Sequence, residues 1–545
     1  MTGMPQETSP RPTASRLPWA LALLSGVMAG CCFAPLPERL LSCLPWIALA
    51  PLCWSLWIPP LPEGAGRRAR RCFLLGWAAG MAGFLISLHW IVTVTVAGWI
   101  ALCAILAVYH GLWGLFAGTV LRPLGGDWLG SARNLLVAVL AAAAWTGLEW
   151  LRGTLFTGFG WNALGVALGG SIPLAQIASV TGTPGLTFLC VLVAAVAAIT
   201  VERLRREIRS GKTRPHVDFF ATVFLVVLCF SHGLRILSAP AVPTVPLRVA
   251  GLQGNIPVYD YWDHGKEEQI LGRYLDMTRE ALKGDPDLLV WPEAATPRPL
   301  LIDAVTWEGV KGLALGSRAD FLIGSIHYEA DPRGDYNSAI LLTGHASASQ
   351  IYSKVHLVPF GEFVPFRKIF PLLAWIERKE VPFDFDPGKG PALLEMAARP
   401  VKLGPLICFE DTLGDQTRLT AALGAQLLVT LTNDGWFGHS VASRQHLANS
   451  RLRTVETGLP LLRVADTGVT CVIDRFGRIR DELRGPGGDT FVEGILRTDI
   501  AVPANPVPTF YTRHGDLFAH ACLGLMAAAW LTGLLATRRG VTASR

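Results

Sequence analysis

The chain has 545 residues, of which 51% are hydrophobic and 17% are charged, and its formal net charge is +6. This length exceeds one ordinary domain. The high content of hydrophobic residues and the low content of charged residues exclude an entirely soluble protein and indicate a membrane protein. The positive charge does not predict nucleic-acid binding, because the arginines cluster beside apolar runs instead of covering a soluble face.

Eight apolar stretches are about 20 residues long, which is the length that crosses a bilayer. They cover residues 17–35, 40–58, 72–96, 99–121, 135–151, 177–201, 219–237 and 517–536. The fifth is short and carries Glu149, so it is the weakest of the eight. The sequence therefore predicts a seven-span membrane domain over residues 1–238, and an eighth span with a basic tail over residues 514–545.

Three basic clusters predict the orientation of these spans. They follow the second, sixth and eighth spans and consist of Arg67, Arg68, Arg70 and Arg71; Arg203, Arg205, Arg206 and Arg209; and Arg538 and Arg539. An even number of spans places all three clusters on one side, which the positive-inside rule makes the cytoplasmic side. Residues 239–513, between the seventh and eighth spans, are then expected outside the cytoplasm.

Residues 239–513 alternate short apolar runs with helical patterns, which indicates an α/β domain. The predicted strands are "PLRVAGLQGNI", "PDLLVWPEAATP", "DFLIGSIHY", "YNSAILL", "GPLICFED" and "AQLLVTLTNDGWFG", and a helix is predicted for "EEQILGRYLDMTREAL". Reactive groups in α/β sheets collect just beyond the strand ends. The strand ends here carry Glu293, Cys408 and the pair Asn433 and Asp434, which predicts an active site.

Three residues of this segment are candidates for catalysis. Glu293, between Pro292 and Pro297, could be a partly buried general base, or it could be a solvated loop glutamate. Lys354 could stabilise an oxyanion, or it could lie exposed on an edge strand. Cys408 could be a nucleophile activated by these two neighbours, or it could be a core cysteine.

The distribution of the cysteines leaves a third alternative for Cys408. Nine of the eleven cysteines lie in or beside apolar stretches, where cysteine acts as a small hydrophobic residue. Only Cys408 and Cys471 lie in the globular segment, so a disulfide between them is an alternative in an oxidising compartment. The chain has no CxxC motif and no His/Cys spacing typical of zinc, so no metal site is predicted.

Three motifs in chain order, "WPEAATP", "YSKVHLVPFGEFVP" and "ICFED", resemble the Glu–Lys–Cys triad of the nitrilase superfamily. The block from "NDGWFG" to "VIDRFG" resembles the stretch after the nucleophile in that superfamily. With "CFAPLP", "TGFGWNALG" and "PTFYTRHGD" near the predicted spans, nearly the whole chain resembles the apolipoprotein N-acyltransferases. The resemblance implies an extracytoplasmic α-β-β-α sandwich of nitrilase type, joined to a multi-pass α-helical membrane domain.

The resemblance also implies roles for individual residues. Glu293 corresponds to the general base, Lys354 to the oxyanion stabiliser and Cys408 to the nucleophile. Supporting positions of the family fall on Glu362, Glu410, Trp262, Asn337 and Phe409. Two residues depart from the family pattern, because Phe409 stands where Tyr is frequent and Asp466 stands where Asn is common. We expect the Phe409 amide to complete an oxyanion hole, and Asp466 to alter local hydrogen bonding without loss of chemistry.

The reaction implied by the resemblance is a two-step acyl transfer through a thioester on Cys408, without a metal or cofactor. The expected donor is a membrane phospholipid, phosphatidylethanolamine in particular. The expected acceptor is the α-amine of the diacylglyceryl-cysteine of an apolipoprotein. The location implied is the bacterial inner membrane, with the catalytic domain on the periplasmic face. Membrane lipids are further expected partners, and nucleic acid is not.

Residues 366–385 mix aromatic, aliphatic and basic side chains and are a predicted membrane-contacting lid, through Phe370, Leu373 and Trp375. A helix packed on the domain is the alternative for this segment. Two other functions compete with acyl transfer: a membrane-anchored amidase, and a transporter with an inactive outer domain. Eight predicted spans argue against the first. Few charges in the spans and an intact triad argue against the second.

Overall fold

The computed structural model describes residues 16–36, 38–240, 242–330, 333–343, 345–364 and 384–542. The predicted lid over residues 366–385 lies outside this set, except for its last two positions. Within the described residues the N-terminal part is helical, and the strands fall between positions 244 and 503.

Eight helices of at least eight residues form the described N-terminal part. They are α1 (Leu17–Cys31), α2 (Glu38–Ile47), α3 (Ala50–Trp57), α4 (Ala65–Ser87), α5 (Val96–Phe116), α6 (Ser131–Thr154), α7 (Thr183–Ser210) and α8 (Val217–Leu237). Shorter helices lie at Arg122–Gly125, Ile172–Ala175 and Ala178–Thr181. Small residues let the long helices approach closely, since a Cβ added to Gly26 of α1 would lie 2.1 Å from the carbonyl oxygen of Ala79 in α4.

Five helical segments among the described residues are long and apolar enough to cross a membrane. These are Ala65–Ser87, Val96–Gly125, Ser131–Thr154, Thr183–Ser210 and Val217–Leu237, which match the third to seventh predicted spans. Shorter apolar helices cover Leu17–Cys31, Cys43–Trp57, Ile172–Thr181 and Leu517–Gly533. The multi-pass helical prediction is confirmed, while the number of eight spans stays a prediction.

The sixth predicted span begins later than the apolar pattern indicated. Its first residues form the short helix Ala178–Thr181, which ends at Gly182, where φ is 66°. Helix α7 then begins at Thr183 with Pro184 in its first turn, where a missing N–H costs no helical hydrogen bond. Hydrophobic composition alone does not show this break, because both segments are apolar.

Two six-stranded sheets form the second part of the described chain. The first has the order β12-β1-β2-β3-β4-β5 and the second the order β11-β10-β9-β8-β7-β6. The strands are β1 (Thr244–Gln253), β2 (Leu288–Val290), β3 (Asp320–Ala330), β4 (Arg333–Thr343), β5 (Ala348–Ser353), β6 (Leu394–Glu395), β7 (Lys402–Ile407), β8 (Leu427–Thr432), β9 (Leu461–Ala465), β10 (Cys471–Ile473), β11 (Ile479–Glu482) and β12 (Gly494–Pro503). The central neighbours β1, β2 and β3, and likewise β7, β8 and β9, run parallel.

The two sheets pack face to face, with helices on their outer faces. Alternation along β7 shows this arrangement, because Leu403 and Ile407 belong to the core between the sheets and Leu406 to the core beneath the outer helices. Helices α9 (Glu267–Leu282) and α10 (Ala304–Leu315) cover the first sheet, and α11 (Gly414–Ala422) and α12 (Ala442–Thr457) cover the second. The predicted α-β-β-α sandwich is confirmed. The short helix Phe510–His514 and α13 (Leu517–Thr542) follow it.

Candidate active site

Four strand ends meet at one place between the two sheets. Glu293 lies three residues after β2 and Lys354 directly after β5, while Cys408 and Asn433 directly follow β7 and β8. A carboxylate oxygen of Glu293 is 3.4 Å from Lys354 Nζ, and the carboxylate is hydrogen-bonded with the Cys408 thiol. The structure therefore brings together the three residues of the predicted triad, which are far apart in sequence.

Cys408 begins one 3-10 turn, Cys408–Thr412, at the point where the chain leaves the sheet. Its φ of 53° is in the left-handed region, which costs a non-glycine residue about 1–2 kcal/mol and persists only where the surroundings hold it. Burial and the Glu293 carboxylate raise the pKa of the Cys408 thiol well above its usual value, against the opposing effect of Lys354. The resting thiol is protonated, so a base must remove its proton before it attacks.

Glu293 has the environment of such a base. It is 8% exposed, which excludes the solvated-loop alternative, and it accepts hydrogen bonds from Asn337 Nδ2 at 2.9 Å and from the Asn433 N–H at 3.0 Å. Burial raises the pKa of the Glu293 carboxyl, although Lys354 opposes the rise. A carboxylate with a raised pKa and a hydrogen bond to a thiol is able to accept the thiol proton.

Lys354 is a buried cation between two carboxylates. It follows the edge strand β5 but is only 1% exposed, which excludes the alternative of a surface lysine, and its Nζ lies 3.4 Å from Glu293 and 2.9 Å from Glu362. Burial alone would lower the pKa of Lys354, but the two glutamates raise it above its usual value, so the ammonium keeps its charge. A fixed cation in a site with little water stabilises negative charge that develops on a carbonyl oxygen.

Asn337 and Glu362 connect the base to the cation. Asn337, on β4, donates from Nδ2 to Glu293 at 2.9 Å and to Glu362 at 3.1 Å. Glu362 also accepts a hydrogen bond from the Val358 N–H at 2.8 Å. The two residues contact the base and the cation of the triad and fix their separation, a geometry that suits the supporting roles expected from the sequence.

Glu410 lies behind the nucleophile and joins the two sheets. Its buried carboxylate accepts three backbone N–H groups and one hydroxyl at 2.7–3.1 Å, from Ile407, Val355, His356 and Tyr352. Because Ile407 precedes Cys408 and Val355 follows Lys354, this carboxylate ties the end of β7 to the end of β5. Glu410 is thus placed to hold the nucleophile in register with the cation.

Phe409 and Trp262 occupy apolar surroundings beside the site. The Phe409 ring stacks on Trp161 with centroids 6.1 Å apart and planes 3° apart, so the residue after the nucleophile packs on the N-terminal helical part. Trp262 is 37% exposed and lies in an aromatic cluster with Tyr259 and Trp436. Since Trp436 belongs to the turn after β8, this cluster borders the site at the surface.

Asn433, whose position after a strand predicted it to lie at the site, is joined beside the triad by Asp466, whose contacts there were not predicted. The backbone N–H of Asn433 holds Glu293, and Asp466, which departs from the family pattern, accepts hydrogen bonds from Asn433 Nδ2 at 3.4 Å and from the Tyr274 hydroxyl. Burial raises the pKa of Asp466 to about 6, although the tyrosine hydrogen bonds act in the opposite direction. The polar "ND" after an apolar strand was the signal by which the sequence predicted Asn433 at the site. Asp466 gave no comparable signal of its burial.

Cys471 lies too far from Cys408 for a disulfide in this fold. Cys471 begins β10 and Cys408 follows β7, and the sheet order places β9 and β8 between these strands. Three strand spacings amount to about 14 Å, whereas a disulfide requires Cα atoms within about 7 Å. Both cysteines are free, which leaves the Cys408 thiol available for chemistry.

Two family models match the chain, one for each part of the structure. The model described as the apolipoprotein N-acyltransferase N-terminal domain matches residues 25–196. The model described as carbon-nitrogen hydrolase matches residues 248–501, which contain both sheets and all three triad residues. The helical part and the sandwich therefore each have a counterpart among known families.

Curated relatives match over most of the chain. The apolipoprotein N-acyltransferase of Geobacter metallireducens is 34% identical over 538 residues, which cover 96% of this chain and 96% of that protein. The protein of that name from Rhodopseudomonas palustris is 33% identical and covers 85% of this chain and 86% of its own length. A third, from Nitrosomonas europaea, is 32% identical, with coverage of 90% and 93%. The similarity thus extends through the membrane helices and the sandwich together.

Proposed function

Because the chain belongs to the apolipoprotein N-acyltransferase family, we propose that it moves a fatty acyl chain from a membrane phospholipid to an apolipoprotein. The acceptor is the α-amine of the N-terminal cysteine, whose sulfur already carries a diacylglyceryl group. The observation that carries the proposal is the buried contact of Glu293 with both Lys354 and the Cys408 thiol. A carboxylate, a fixed cation and a thiol are the groups that acyl transfer through a thioester needs.

In the first half-reaction, Glu293 accepts the proton of the Cys408 thiol, and the thiolate attacks an ester carbonyl carbon of the phospholipid. The carbonyl oxygen becomes negatively charged and is stabilised by Lys354 and by the backbone N–H of Phe409. The ester C–O bond then breaks, and protonated Glu293 gives its proton to the departing alkoxide. A lysophospholipid leaves, and the acyl chain remains on Cys408 as a thioester.

In the second half-reaction, the α-amine of the diacylglyceryl-cysteine attacks the thioester carbonyl carbon. Glu293 accepts the proton that the nitrogen loses, and the same cation and N–H stabilise the oxyanion. The C–S bond breaks, the Cys408 sulfur takes the proton back from Glu293, and an amide has formed. The enzyme returns to its resting state, and the apolipoprotein carries three acyl chains.

The membrane helices have a physical role in this reaction. Donor and acceptor both carry acyl chains, whose transfer into water costs about 0.8 kcal/mol per CH₂ group. Trp161, from the helical part, stacks on Phe409 next to the nucleophile, so the triad lies close to helices that contact lipid. This proximity supports a site that receives acyl chains from the side, without exposure of the chains to water.

Two finer assignments belong to the same proposal. The donor is phosphatidylethanolamine, and the enzyme resides in the bacterial inner membrane with the sandwich on the periplasmic face. The positions of the arginine clusters support this orientation, because positive charge is retained on the cytoplasmic side. The location also suits the acceptor, whose lipidated N-terminus lies at the membrane surface.

The proposal is tested by product formation with purified protein in detergent. Phosphatidylethanolamine and a synthetic diacylated lipopeptide with a free α-amine are incubated with the wild type, Cys408→Ala, or Cys43→Ala, a control at an exposed cysteine of the helical part. We expect the lipopeptide to gain one acyl chain as an amide with the wild type and the control, and to remain unchanged with Cys408→Ala. Release of free fatty acid without lipopeptide acylation would instead indicate a hydrolase.

A further inference from the structure

A buried cluster of four charged side chains lies directly behind the nucleophile. Its members are Asp411 from the turn after β7, Asp434 from the turn after β8, Arg463 from β9 and His446 from α12. Each of the four is at most 1% exposed. Because burying charge is costly unless it is balanced, such a cluster next to a reactive residue requires an explanation.

The charges of this cluster balance when His446 is protonated. His446 lies between the two carboxylates, with Nε2 2.8 Å from Asp411 and Nδ1 2.8 Å from Asp434. Arg463 bridges the same carboxylates at 2.6 Å and 2.9 Å. Burial and Arg463 would lower the pKa of His446, but the two aspartates raise it to about 9. The ring therefore carries a proton on both nitrogens at neutral pH.

The cluster contacts the backbone of the nucleophile. His446 Nε2 is 3.3 Å from the carbonyl oxygen of Cys408, the residue with the left-handed backbone. That carbonyl and the N–H of Phe409 belong to one planar trans peptide unit, in which they point in opposite directions. Holding the carbonyl against His446 consequently directs the N–H away from α12.

The cluster also holds the loop that supports the base. Asp434 directly follows Asn433, whose N–H donates to Glu293 at 3.0 Å. Ion pairs from Asp434 to both His446 and Arg463 fix that loop to α12 and β9. The four charges thus fix the turn that carries the nucleophile and the turn that orients its base.

Helix α12 gives His446 a fixed position relative to the membrane helices. The helix is rich in polar residues, yet 13 of its 16 residues are buried. Gln445, next to His446, accepts from the indole N–H groups of Trp90 at 3.0 Å and Trp161 at 2.9 Å, and it donates to the carbonyl oxygens of Phe33 and Ser87. A rigid support of this kind is what a residue needs in order to orient a backbone.

We propose that His446 is a positioning residue for acyl transfer. Its ring, held between two aspartates, fixes the peptide plane of Cys408 and Phe409, so that the thiol and the N–H face the same substrate carbonyl. This inference rests on the proposed function for the identity of the substrate. The geometry of the thiol itself is independent of that identity.

Two substitutions distinguish a positioning role of His446 from an effect on protein stability alone. His446→Gln keeps an N–H donor near the Nε2 position, facing the Cys408 carbonyl, while His446→Asn keeps one only near Nδ1, facing Asp434. We expect the single-turnover rate of Cys408 acylation by phosphatidylethanolamine to fall about 100-fold in His446→Asn and about 10-fold in His446→Gln, with KM for the donor nearly unchanged. The proposal would be overturned if both variants acylated Cys408 at the wild-type rate, or if only KM changed. It would also be overturned if His446→Gln lost more of the rate than His446→Asn.

A matched control and a lipid-free readout complete the test. Glu207→Gln removes a carboxylate from another buried ion pair, with Arg203 at 3.2 Å, and is expected to lower thermal stability but keep the acylation rate. Alkylation of Cys408 by iodoacetamide needs no phospholipid. Its rate should be highest in the wild type, lower in His446→Gln and lowest in His446→Asn. If the wild type forms no acyl adduct, the proposed function fails, and these alkylation rates still decide the positioning role.

Discussion

At the scale of single residues, the electrostatics of the site depend on Lys354. The ammonium separates Glu293 from Glu362, and both carboxylates are largely withdrawn from solvent. Without the cation, two negative charges would face each other in a region of low dielectric, and one of them would be forced to take up a proton. The lysine therefore has a structural role in addition to the catalytic role proposed for it.

Lys354→Met should consequently cost both stability and activity. Removing one partner of a buried ion pair lowers the free energy of unfolding by about 3–5 kcal/mol. The double variant Lys354→Met/Glu362→Gln should recover much of the thermal unfolding temperature but none of the acyl transfer, because the carboxylate repulsion is relieved and the oxyanion still lacks its cation. Recovery of activity in the double variant would show that Lys354 acts only through Glu362.

Asp466 makes stability depend on pH in a direction that can be stated in advance. Its pKa rises on folding from the ordinary value of 3.8 to about 6, so the native state binds its proton more tightly than the unfolded state. The associated stability is complete below pH 3.8 and is lost as pH rises through about 6. Asp466→Asn, which cannot ionise, should be spared this loss of about 3 kcal/mol.

Thermal unfolding in detergent between pH 4.5 and 8 measures this effect. The unfolding temperature of the wild type should fall relative to that of Asp466→Asn as pH rises through about 6, and the difference should then level off. Asp285→Asn, at an exposed position in the turn between α9 and β2, is the control and should show no such divergence. Parallel curves for the wild type and Asp466→Asn would refute a raised pKa at this position.

The sequence was sufficient to predict that Glu293, Lys354 and Cys408 meet at one site, but not which residues hold them there. Glu293, Lys354 and Cys408 lie in motifs that follow strands, and reactive groups in α/β folds collect beyond strand ends, here those of β2 and β5 in one sheet and β7 in the other. His446 lies in "SRQHLANS", where no neighbour in sequence is one of its ionic partners. Those partners belong to two turns and a strand, so only the tertiary fold brings them to the ring.

At the scale of elements, α12 connects the membrane helices to the sandwich. A helix that is polar and nevertheless buried lies between two packed bodies, because neither face is available to water. Its side chains must then find polar partners on both sides. Gln445 contacts the helical part, while His446 and Ser450 contact the turn that follows β7.

Gln445→Leu should weaken this connection strongly. The substitution leaves the indole N–H groups of Trp90 and Trp161 and the amide of Asn162 without their acceptor, at about 1–3 kcal/mol for each buried donor. Gln176→Leu is the matched control, because Gln176 is a buried glutamine that donates to only two carbonyl oxygens. The unfolding temperature should fall several degrees further in Gln445→Leu. Equal losses in the two variants would show that Gln445 has no special role.

Strands and helices differed in how far the sequence could define them. Strands β1, β2, β3, β4, β7 and β8 and helix α9 follow directly from alternating or helical apolar patterns. The start of α7 could not be predicted from such a pattern, because Gly182 and Pro184 interrupt a stretch that remains apolar throughout. Periodicity reports which face is buried, and it carries no information about a break between two buried helices.

For the molecule as a whole, we predict that the sandwich and the loop between α7 and α8 lie on opposite sides of the membrane. Cysteines introduced at the exposed positions Glu308 and Lys212 test this, in a background that lacks both the exposed Cys43 and Cys408, whose thiol would also react with the reagent. A membrane-impermeant maleimide should label Glu308→Cys in spheroplasts, and Lys212→Cys only after permeabilisation. Labelling of both before permeabilisation, or the reverse pattern, would contradict the proposed topology.

The proposed function has one central consequence: an acyl chain taken from a lipid must rest on Cys408 before it reaches the amine. A pulse-and-chase measurement follows that chain directly. The purified protein is first incubated with phosphatidylethanolamine that carries deuterated acyl chains, and the diacylated lipopeptide is added afterwards. Intact mass is measured for both the protein and the lipopeptide at each stage.

We expect the wild type to gain the mass of one deuterated chain and Cys408→Ala to gain none. The lipopeptide should then acquire the same chain while the protein returns to its original mass. The contrary result would be no adduct on a protein whose Cys408 still reacts with a thiol reagent, or an adduct that the lipopeptide does not remove. Either outcome would exclude a thioester on Cys408 as the intermediate of acyl transfer.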